Sequence, residues 1–372
     1  MRILQINSAT NFGGGEKYLA DLTRGLQICG HEIFVTLRQN AVWHEKLNHI
    51  SDANILHLPL YNALDLQSAW KLAKFIEHED IQIVHAHLAR DYSIAALAVR
   101  LSRTKTRLVL TRHVLFPLNG LHKFLLPKNT IVIAVSSAVQ NQVQKQKLVP
   151  QSCVKLIYNG VDTNYFAATV DNFNHSIFLE RLKLPPNRRF VGMLGEITAH
   201  KGQIDFVRAA ALVAEQHEDV DFLIVGRDSS PEKKYQAELE KLINELNLAN
   251  RVYLPGWCSD VAPVLCALEI FVSPSRVEPF GLAIVEAMAA GLPIVATASE
   301  GAQEILVDNE TGRLVPISDN ETMANAINYF LSDKKVRDDF GKKARMAARE
   351  KFELTRMVDE TESLYKEVLR EA

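Results

Sequence analysis

Hydrophobic and polar positions follow a repeating order from the start of the chain. The apolar "RILQIN" is followed by the glycine-rich "SATNFGGG", then by the amphipathic "EKYLADLTRGLQICG" and a second apolar run, "HEIFVTLRQ". This order predicts a strand, a loop, a helix that ends at Gly30, and a strand. "IQIVHAHL", "RLVLTRH" and "IVIAVS" continue it as strands, and "DYSIAALAVRLS" as a helix. The alternation predicts a parallel sheet with helices on both faces.

The alternation stops after "VKLIYNGVD" and restarts at "RFVGMLGE". Residues 163–189 contain "NFNH" and "LPPNR" and are predicted to be an irregular linker. Strands "VDFLIVG", "RVYLPG", "EIFVSPS" and "LPIVATA" then alternate with helical segments. The chain is therefore an α/β protein with two predicted Rossmann-like domains, residues 1–165 and 175–354. A final helix at about 355–372 is a candidate to pack back on the first domain.

Composition narrows the class of protein. A chain of 372 residues is longer than one core usually serves, and its net charge of -2 argues against a general nucleic-acid binder. The cysteines have neither disulfide-framework nor metal-ligand spacing, so we expect four buried thiols in a reducing cytosol: Cys29, Cys153, Cys258 and Cys266. No signal peptide or membrane-spanning run is visible, which predicts a cytoplasmic protein.

Two carboxylates lie in the otherwise apolar "SPSRVEPFGLAIVEAMAAG". Glu278 falls between a predicted strand and a helix that starts near Phe280, at the sheet edge where open α/β folds bind ligands. Gly281 lets a ligand approach the first helical turn, whose free N–H groups attract anions such as a diphosphate. Glu286, on the second turn, suits paired ribose hydroxyls. The alternative is that both are ordinary charges at a helix terminus and on a solvated face, but the helix is apolar all round and a buried carboxylate needs a partner.

These residues carry a family resemblance. "EPFGLAIVE" followed by "AMAAGLPIVA" resembles the E-x7-E signature of retaining glycosyltransferases of family 4, which have the GT-B fold. "FGGGEKYLADLTRGLQICGHEIFVT", "LIYNGVDTNYF", "HKG", "LIVGRD", "VYLPGW" and "GAQEILVDNETGRLV" are similar to other family blocks in the expected order. The resemblance implies two Rossmann-like domains facing across a cleft, with the nucleotide sugar held by the C-terminal domain.

The resemblance also implies roles for single residues. Glu278 would contact the transferred sugar, Lys201 would neutralise the donor diphosphate, and His113 would lie beside the reacting sugar, so these three are the catalytic candidates. Glu286 would bind the donor ribose. Further donor contacts are expected from the glycine loop and the start of the second helix, at Gly13, Gly14, Gly15, Phe280, Gly281 and Leu282. No cofactor or metal is implied, and the chain contains no D-x-D.

One position departs from the family pattern. The family usually has arginine five residues before the lysine, whereas this chain has Glu196 five residues before Lys201. A carboxylate there would repel the diphosphate, unless it turns away or Arg227 compensates as a further donor contact. The departure keeps open a weakly active, donor-binding subunit. A GT-B enzyme of other chemistry, such as a sugar-nucleotide epimerase or a phosphorylase, is a second alternative.

The remaining signals divide between packing and acceptor binding. His85 and His87 end a strand and suit either role equally; His87 and Arg90 are the acceptor-binding candidates. Ser136 and Ser137 fit helix caps better than nucleophiles. "GGGEK" lacks the G-x-G-x-x-G spacing of a nicotinamide dinucleotide loop. "VLFPLNGLHKFLLPK" combines apolar residues with lysines and suits a loop that touches a membrane, equally an acceptor wall or a core segment.

The resemblance thus implies a retaining, metal-independent hexosyltransferase that moves a sugar from a nucleotide-diphosphate sugar to a glycan or lipid-linked acceptor. Synthesis of cell-surface polysaccharide or lipopolysaccharide is the expected setting. The expected location is cytoplasmic, and peripheral contact at the inner membrane face stays open.

Overall fold

The computed structural model describes residues 1–118 and 120–371, and these form two compact units. The first unit comprises Met1–Gly160 and the segment that begins at Leu354. The second comprises Val161–Glu353. Among the described residues, no helix combines the length and apolar character that crossing a bilayer requires.

The first unit is built on a parallel sheet of seven strands in the order β3-β2-β1-β4-β5-β6-β7. Two of its strands, "IVHA" and "IVIA", are buried along their whole length, as strands covered on both faces are. The strands are β1 (Arg2–Asn7), β2 (Glu32–Arg38), β3 (Ile55–Leu58), β4 (Ile83–Ala86), β5 (Arg107–Arg112), β6 (Ile131–Ala134) and β7 (Val154–Leu156).

Five helices before residue 160 and one at the end of the chain cover this sheet. The last of them, α15, packs against α1, where a methyl group of Val358 would collide with any side chain at Gly25. The helices are α1 (Gly14–Ile28), α2 (Leu66–His78), α3 (Ala89–Leu101), α4 (Leu121–Leu125), α5 (Ser137–Gln146) and α15 (Leu354–Arg370).

The second unit contains a parallel sheet of six strands in the order β10-β9-β8-β11-β12-β13. The strands are β8 (Arg189–Leu194), β9 (Val220–Val225), β10 (Val252–Gly256), β11 (Ile270–Ser273), β12 (Ile294–Thr297) and β13 (Arg313–Val315). Because β8 lies between β9 and β11, the order reverses beside β8, and such a switch point is where open α/β sheets bind ligands.

Nine helices belong to the described part of the second unit. They are α6 (Thr163–Asp171), α7 (His175–Arg181), α8 (Gln203–Ala214), α9 (Lys234–Glu245), α10 (Ala262–Cys266), α11 (Leu282–Ala290), α12 (Glu300–Ile305), α13 (Asn320–Ser332) and α14 (Lys334–Lys351). The core of this unit centres on aromatic residues of α8, β9 and α13, namely Phe206, Phe222 and Phe330.

The predicted irregular linker at residues 163–189 is wrong, because α6 and α7 occupy much of it. The side chains of Asp162 and Asn174 cap these helices, and α6 packs against α10 and α11. The second unit therefore starts at Val161, ahead of the expected residue 175.

The prediction for the cysteines is wrong, whereas the prediction for Ser136 is confirmed. Cys29 is exposed and the other three cysteines are half-buried, so the expectation of four buried thiols is wrong, although all four are free. Ser136 is confirmed as a cap, since its Oγ accepts the Val139 N–H at 3.2 Å.

Candidate active site

The loop between β11 and α11 holds the carboxylate of Glu278 in a nearly enclosed position. The residue is 8% exposed. Its Oε2 atom accepts hydrogen bonds from Lys201 Nζ at 2.7 Å and from Ser275 Oγ at 3.2 Å. A buried carboxylate is stabilised by such a charged donor. The structure therefore brings two of the three catalytic candidates into direct contact.

Backbone packing fixes the position of Lys201. The residue ends a short 3₁₀ turn, and Gly202 follows it with φ of +73°. A Cβ atom on Gly202 would lie 2.0 Å from the carbonyl oxygen of Pro274, so only glycine allows the two loops to meet. The N–H of Arg276 donates to the His200 carbonyl at 2.8 Å and joins the same loops. The Lys201–Glu278 pair consequently lies on a rigid backbone support.

A second ion pair secures this support to helix α8. The Arg276 guanidinium donates to both carboxylate oxygens of Asp205, at 2.9 and 3.0 Å. Asp205 is 1% exposed, and paired hydrogen bonds of this kind fix direction as well as distance. Arg276 therefore ties the loop after β11 to α8, while 44% of its side chain stays exposed.

The first turn of α11 begins at the same sheet edge, and no side chain caps it within residues 1–118 and 120–371. Gly281 caps the helix with φ of +114°, and Leu282 is the first helical residue, two positions later than the start expected near Phe280. The N–H of Gly301 donates to the Glu278 carbonyl at 2.9 Å, and a Cβ atom on Gly301 would lie 2.1 Å from the Phe280 carbonyl oxygen. Helix α12 thus holds the loop so that the start of α11 suits an anion.

Glu286 lies on the second turn of α11 and is 5% exposed. Its neighbours Val285 and Ala287 are fully buried, so the carboxylate is set within an apolar helix close to the Glu278 loop. The reading of Glu286 as a solvated surface charge is therefore wrong. Its contact with a donor ribose stays a prediction.

Glu196, which occupies the position of the usual family arginine, and Arg227, the candidate to compensate for it, lie on adjacent loops. Glu196 is exposed, and its carbonyl accepts the side-chain N–H of Gln203 at 2.9 Å. The Arg227 carbonyl accepts the N–H of Ile197 at 2.9 Å, which places the loop after β9 beside the loop after β8. The Arg227 guanidinium lies 5.4 Å from the ring centre of Trp257, in a cation–π arrangement. Arg227 is thus held against Trp257, next to the segment that contains Glu196.

In the first unit, the glycine loop is closed by a buried carboxylate. Glu16 accepts the Gly13 N–H at 3.0 Å and the Asn7 side-chain N–H at 3.1 Å. It is 7% exposed, and burial raises the pKa of its carboxyl. Gly13 and Gly14 remain exposed at the start of α1. Glu16 therefore shapes the backbone that the resemblance assigns to the donor diphosphate.

His113 follows β5 and lies beside this loop. A Cβ atom on Gly15 would be 3.9 Å from its Cδ2 atom, and the Tyr18 ring packs edge-on at 4.9 Å. Its Nε2 atom has no hydrogen-bond partner among residues 1–118 and 120–371. Burial lowers the pKa of His113 to about 3, so the ring is neutral near pH 7. A neutral imidazole can exchange hydrogen bonds with a sugar but does not supply positive charge.

The other two histidines are packed into the core of the first unit. His85 lies between Tyr365 Oη at 2.6 Å and Thr111 Oγ1 at 2.7 Å, and burial lowers its pKa to about 3. His87 is 2% exposed, and its Nε2 pairs with Gln5 Oε1 at 2.7 Å. This geometry favours packing over acceptor contact for both. Arg90 is exposed at the start of α3.

Sequence reasoning missed four residues that support the site. Ser275 donates to Glu278, Gly202 and Gly301 permit close backbone contacts, and Glu16 closes the glycine loop. A glycine directly after Lys201 and a glutamate three positions after Gly13, at the spacing of a capping box, were signals for two of them. No local signal identifies Gly301, since its role depends on a contact with a distant loop.

Two Rossmann-like units, each built on an open parallel sheet, define an α/β protein of the GT-B class. The family models agree. Residues 12–165 match "Glycosyltransferase Family 4", and residues 176–347 match "Glycosyl transferases group 1". The chain belongs to this glycosyltransferase family.

Known proteins resemble the chain over most of its length. An N-acetyl-alpha-D-glucosaminyl L-malate synthase of Bacillus anthracis is 27% identical over 96% of this chain and 95% of the relative. The lipopolysaccharide core mannosyltransferase LpsB of Rhizobium meliloti is 29% identical over 74% of this chain and 76% of the relative. Anabaena Alr3699/HepE, solved with UDP and glucose, has a TM-score of 0.83 at 23% identity and covers 98% of this chain and 99% of its own, which shows the shared fold.

Proposed function

We propose that the chain is a retaining hexosyltransferase that moves a sugar from a nucleoside diphosphate sugar to a glycan or lipid-linked acceptor. Synthesis of cell-surface polysaccharide or lipopolysaccharide is the setting that the relatives suggest, since LpsB is named as a lipopolysaccharide core mannosyltransferase. The structure named with UDP and glucose supports a nucleotide sugar as the donor.

The ion pair between Lys201 and Glu278 carries this proposal. Negative charge grows on the diphosphate as the bond between it and the sugar breaks, and a cation aimed at that charge lowers the barrier. Lys201 supplies the cation, and the start of α11, which follows Gly281 and has no side-chain cap in the described structure, adds a helix dipole of the same sign. Glu278 holds the ammonium with Oε2 and accepts a sugar hydroxyl with Oε1.

The proposed reaction proceeds on one face of the sugar. The bond from the anomeric carbon to the phosphate oxygen breaks, and the acceptor oxygen bonds to the same face. The departing phosphate takes the acceptor proton, so the configuration is retained and no protein base is needed. Neutral His113 contributes a hydrogen bond to the transferred sugar, as its unpartnered Nε2 beside the glycine loop allows.

Protein groups take the place of a metal in this scheme. Lys201 is 30% exposed at its side chain, so the residue is not fully covered by its contact with Glu278. We therefore propose that turnover needs neither a divalent cation nor any other cofactor, and that it persists when EDTA is present.

A weakly active, donor-binding subunit is the second candidate. The observation that favours it is exposed Glu196 at the usual arginine position, since an anion there opposes a second negative group. Arg227 on the neighbouring loop opposes this effect.

A donor panel tests the proposal. The full chain is incubated with UDP-, GDP- and ADP-sugars and a lipid and glycan extract, with and without EDTA, and nucleoside diphosphate release is measured. The expected result is release with one donor class, unchanged by EDTA, and a product with retained anomeric configuration by NMR. Binding of a donor without release in any extract would favour the subunit. Interconversion of the sugar nucleotide without transfer would establish an epimerase. Release of a sugar phosphate that depends on added phosphate would establish a phosphorylase.

A further inference from the structure

The charges of the chain are distributed very unevenly. Residues 92–161 contain ten of the 42 lysines and arginines and none of the 44 acidic residues. This segment therefore has a formal charge of +10 within a chain of -2. A local excess of this size creates a positive electrostatic potential around the segment, although the net charge of the whole chain is close to zero.

The fold gathers part of this charge around helix α4. Helix α4 packs on α3, where His122 Nε2 lies 2.9 Å from the Ala89 carbonyl. The preceding loop is tied to α5, because the Leu118 backbone exchanges two hydrogen bonds with the Gln146 side chain, both of 3.2 Å. The basic residue at the end of α3 is thereby brought beside α4, where Arg100 lies 3.4 Å from the Phe124 carbonyl, and those at the end of α5 are brought beside the loop that precedes it.

Two aromatic rings and four basic side chains form what we call the basic aromatic patch: Phe116, Phe124, Arg100, Lys123, Lys145 and Lys147. Phe116 is 59% and Phe124 78% exposed. All four basic residues are exposed, and none of them forms an ion pair within residues 1–118 and 120–371.

Other basic residues of the segment are used differently. Lys155 pairs with Glu367 at 3.2 Å, and Arg107 donates to the Glu371 carbonyl at 2.8 Å, both on the C-terminal segment. Arg112 turns inward to the Phe116 carbonyl. Unpaired positive charge thus remains around the exposed phenylalanines.

We propose that the basic aromatic patch binds the surface of a bilayer that contains anionic phospholipid. Basic side chains near such a surface are attracted by its negative potential, and exposed phenylalanines bury in the boundary between headgroups and acyl chains. An exposed ring costs free energy in water, and it gains burial in a bilayer but not along a nucleic-acid backbone. The combination of unpaired charge with exposed rings therefore selects a lipid surface over another polyanion.

The position of the basic aromatic patch relates the proposed membrane contact to the candidate active site. His113 follows β5 and Phe116 lies three residues further along, so this part of the patch adjoins the carboxyl edge of the first sheet. If the proposed function holds, a lipid-borne acceptor would be presented beside His113. Vesicle binding itself does not depend on turnover, so the two proposals can fail separately.

Vesicle flotation of the full chain tests the surface. Phosphatidylcholine vesicles are compared with vesicles that also contain phosphatidylglycerol, at low and high salt. Each lysine near an anionic surface adds about fivefold to binding, so Lys123→Glu with Lys145→Glu and Lys147→Glu should reduce it by more than about a hundredfold. The matched control reverses three exposed lysines of the second unit, Lys233→Glu with Lys335→Glu and Lys342→Glu, at the same net charge.

A second pair of variants tests the aromatic part. Phe116→Ser with Phe124→Ser should weaken binding at low salt at least tenfold, whereas Ile177→Ser, at a residue 63% exposed in the second unit, should not. Absence of binding to anionic vesicles would overturn the proposal, as would equal loss in the lysine control. Unchanged vesicle binding in the phenylalanine variant, with equally tight binding to heparin, would identify a general polyanion site instead.

Discussion

The buried histidines of the first unit should make the protein sensitive to mild acid. Burial lowers the pKa of His85 and of His113 to about 3 and holds the pKa of His87 well below its ordinary value. In the unfolded chain each ring returns to a pKa of about 6.5. The folded state then binds fewer protons than the unfolded state as the pH falls below about 6.5, so acid favours unfolding.

The magnitude follows from proton linkage. At pH 5 the unfolded form of His85 gains about 2 kcal/mol from protonation that the folded form does not. His113 adds about the same amount, and His87 adds to the sum in the same direction. The loss of unfolding free energy is complete only near pH 3, where the histidine rings of the folded protein begin to bind protons.

Two carboxyls act in the opposite direction. Burial raises the pKa of Asp91 to about 7 and also raises the pKa of Glu16. Asp91 therefore binds a proton in the folded state as the pH falls from 7 to 5, which restores about 2 kcal/mol. The histidines outweigh it, and the first unit should lose several kcal/mol of stability between these values, against a typical total of about 5–15 kcal/mol.

Chemical unfolding at pH 7 and pH 5 tests this reasoning in wild type, His85→Gln and His78→Gln. Fluorescence of Trp43, which is 2% exposed in the first unit, reports its unfolding when the other two tryptophans, Trp70 and Trp257, are replaced by phenylalanine in every variant. In His85→Gln the difference in unfolding free energy between the two pH values should be smaller by about 2 kcal/mol. The control removes a ring that is 82% exposed and should match wild type. An identical pH dependence in wild type and His85→Gln would refute the burial argument.

Three further variants test the site. Lys201→Ala should lower kcat by roughly 10²–10³-fold and raise the donor KM, because it removes the cation and leaves Glu278 unpaired; near-normal kinetics would remove Lys201 from the site. His113→Ala should lower kcat by about 10²-fold with unchanged affinity for the free nucleotide; lost thermal stability without a kcat effect would mark a packing residue. Gly202→Ala should lower the free energy of unfolding by well over the roughly 1–2 kcal/mol expected for the control Gly256→Ala. Both glycines have positive φ, but only a Cβ atom at Gly202 would lie 2.0 Å from a carbonyl oxygen. Equal losses of unfolding free energy in the two variants would show that the loops can separate.

Much of the fold could be predicted because the central strands are long apolar runs that end in glycine or polar loops. β3 and β13 are short edge strands with half-exposed residues, so their patterns are weak. Helices α6 and α7 were mistaken for linker although Asp162 and Asn174 are caps readable from sequence, since both helices bury few apolar residues.

The sequence identified Lys201 and Glu278 as candidates but did not predict that they form an ion pair with each other. Lys201 and Glu278 are 77 positions apart, and their contact depends on β8 lying next to β11. Local patterns specify which segments are strands, whereas strand order follows from packing of the whole unit. The close contact of Gly301 with the Phe280 carbonyl has the same origin.

The central claim is that α11 and its preceding loop hold a nucleoside diphosphate sugar, and calorimetry on Glu286→Ala tests it most directly. The nucleoside diphosphate of the donor class found in the panel is titrated into wild type and variant, with thermal unfolding as the check on folding. Loss of a charge-assisted hydrogen bond to the ribose corresponds to roughly 1.5–3 kcal/mol, so affinity should fall about ten- to a hundredfold. Equal affinity in wild type and a folded variant would contradict the placement of the donor on this helix.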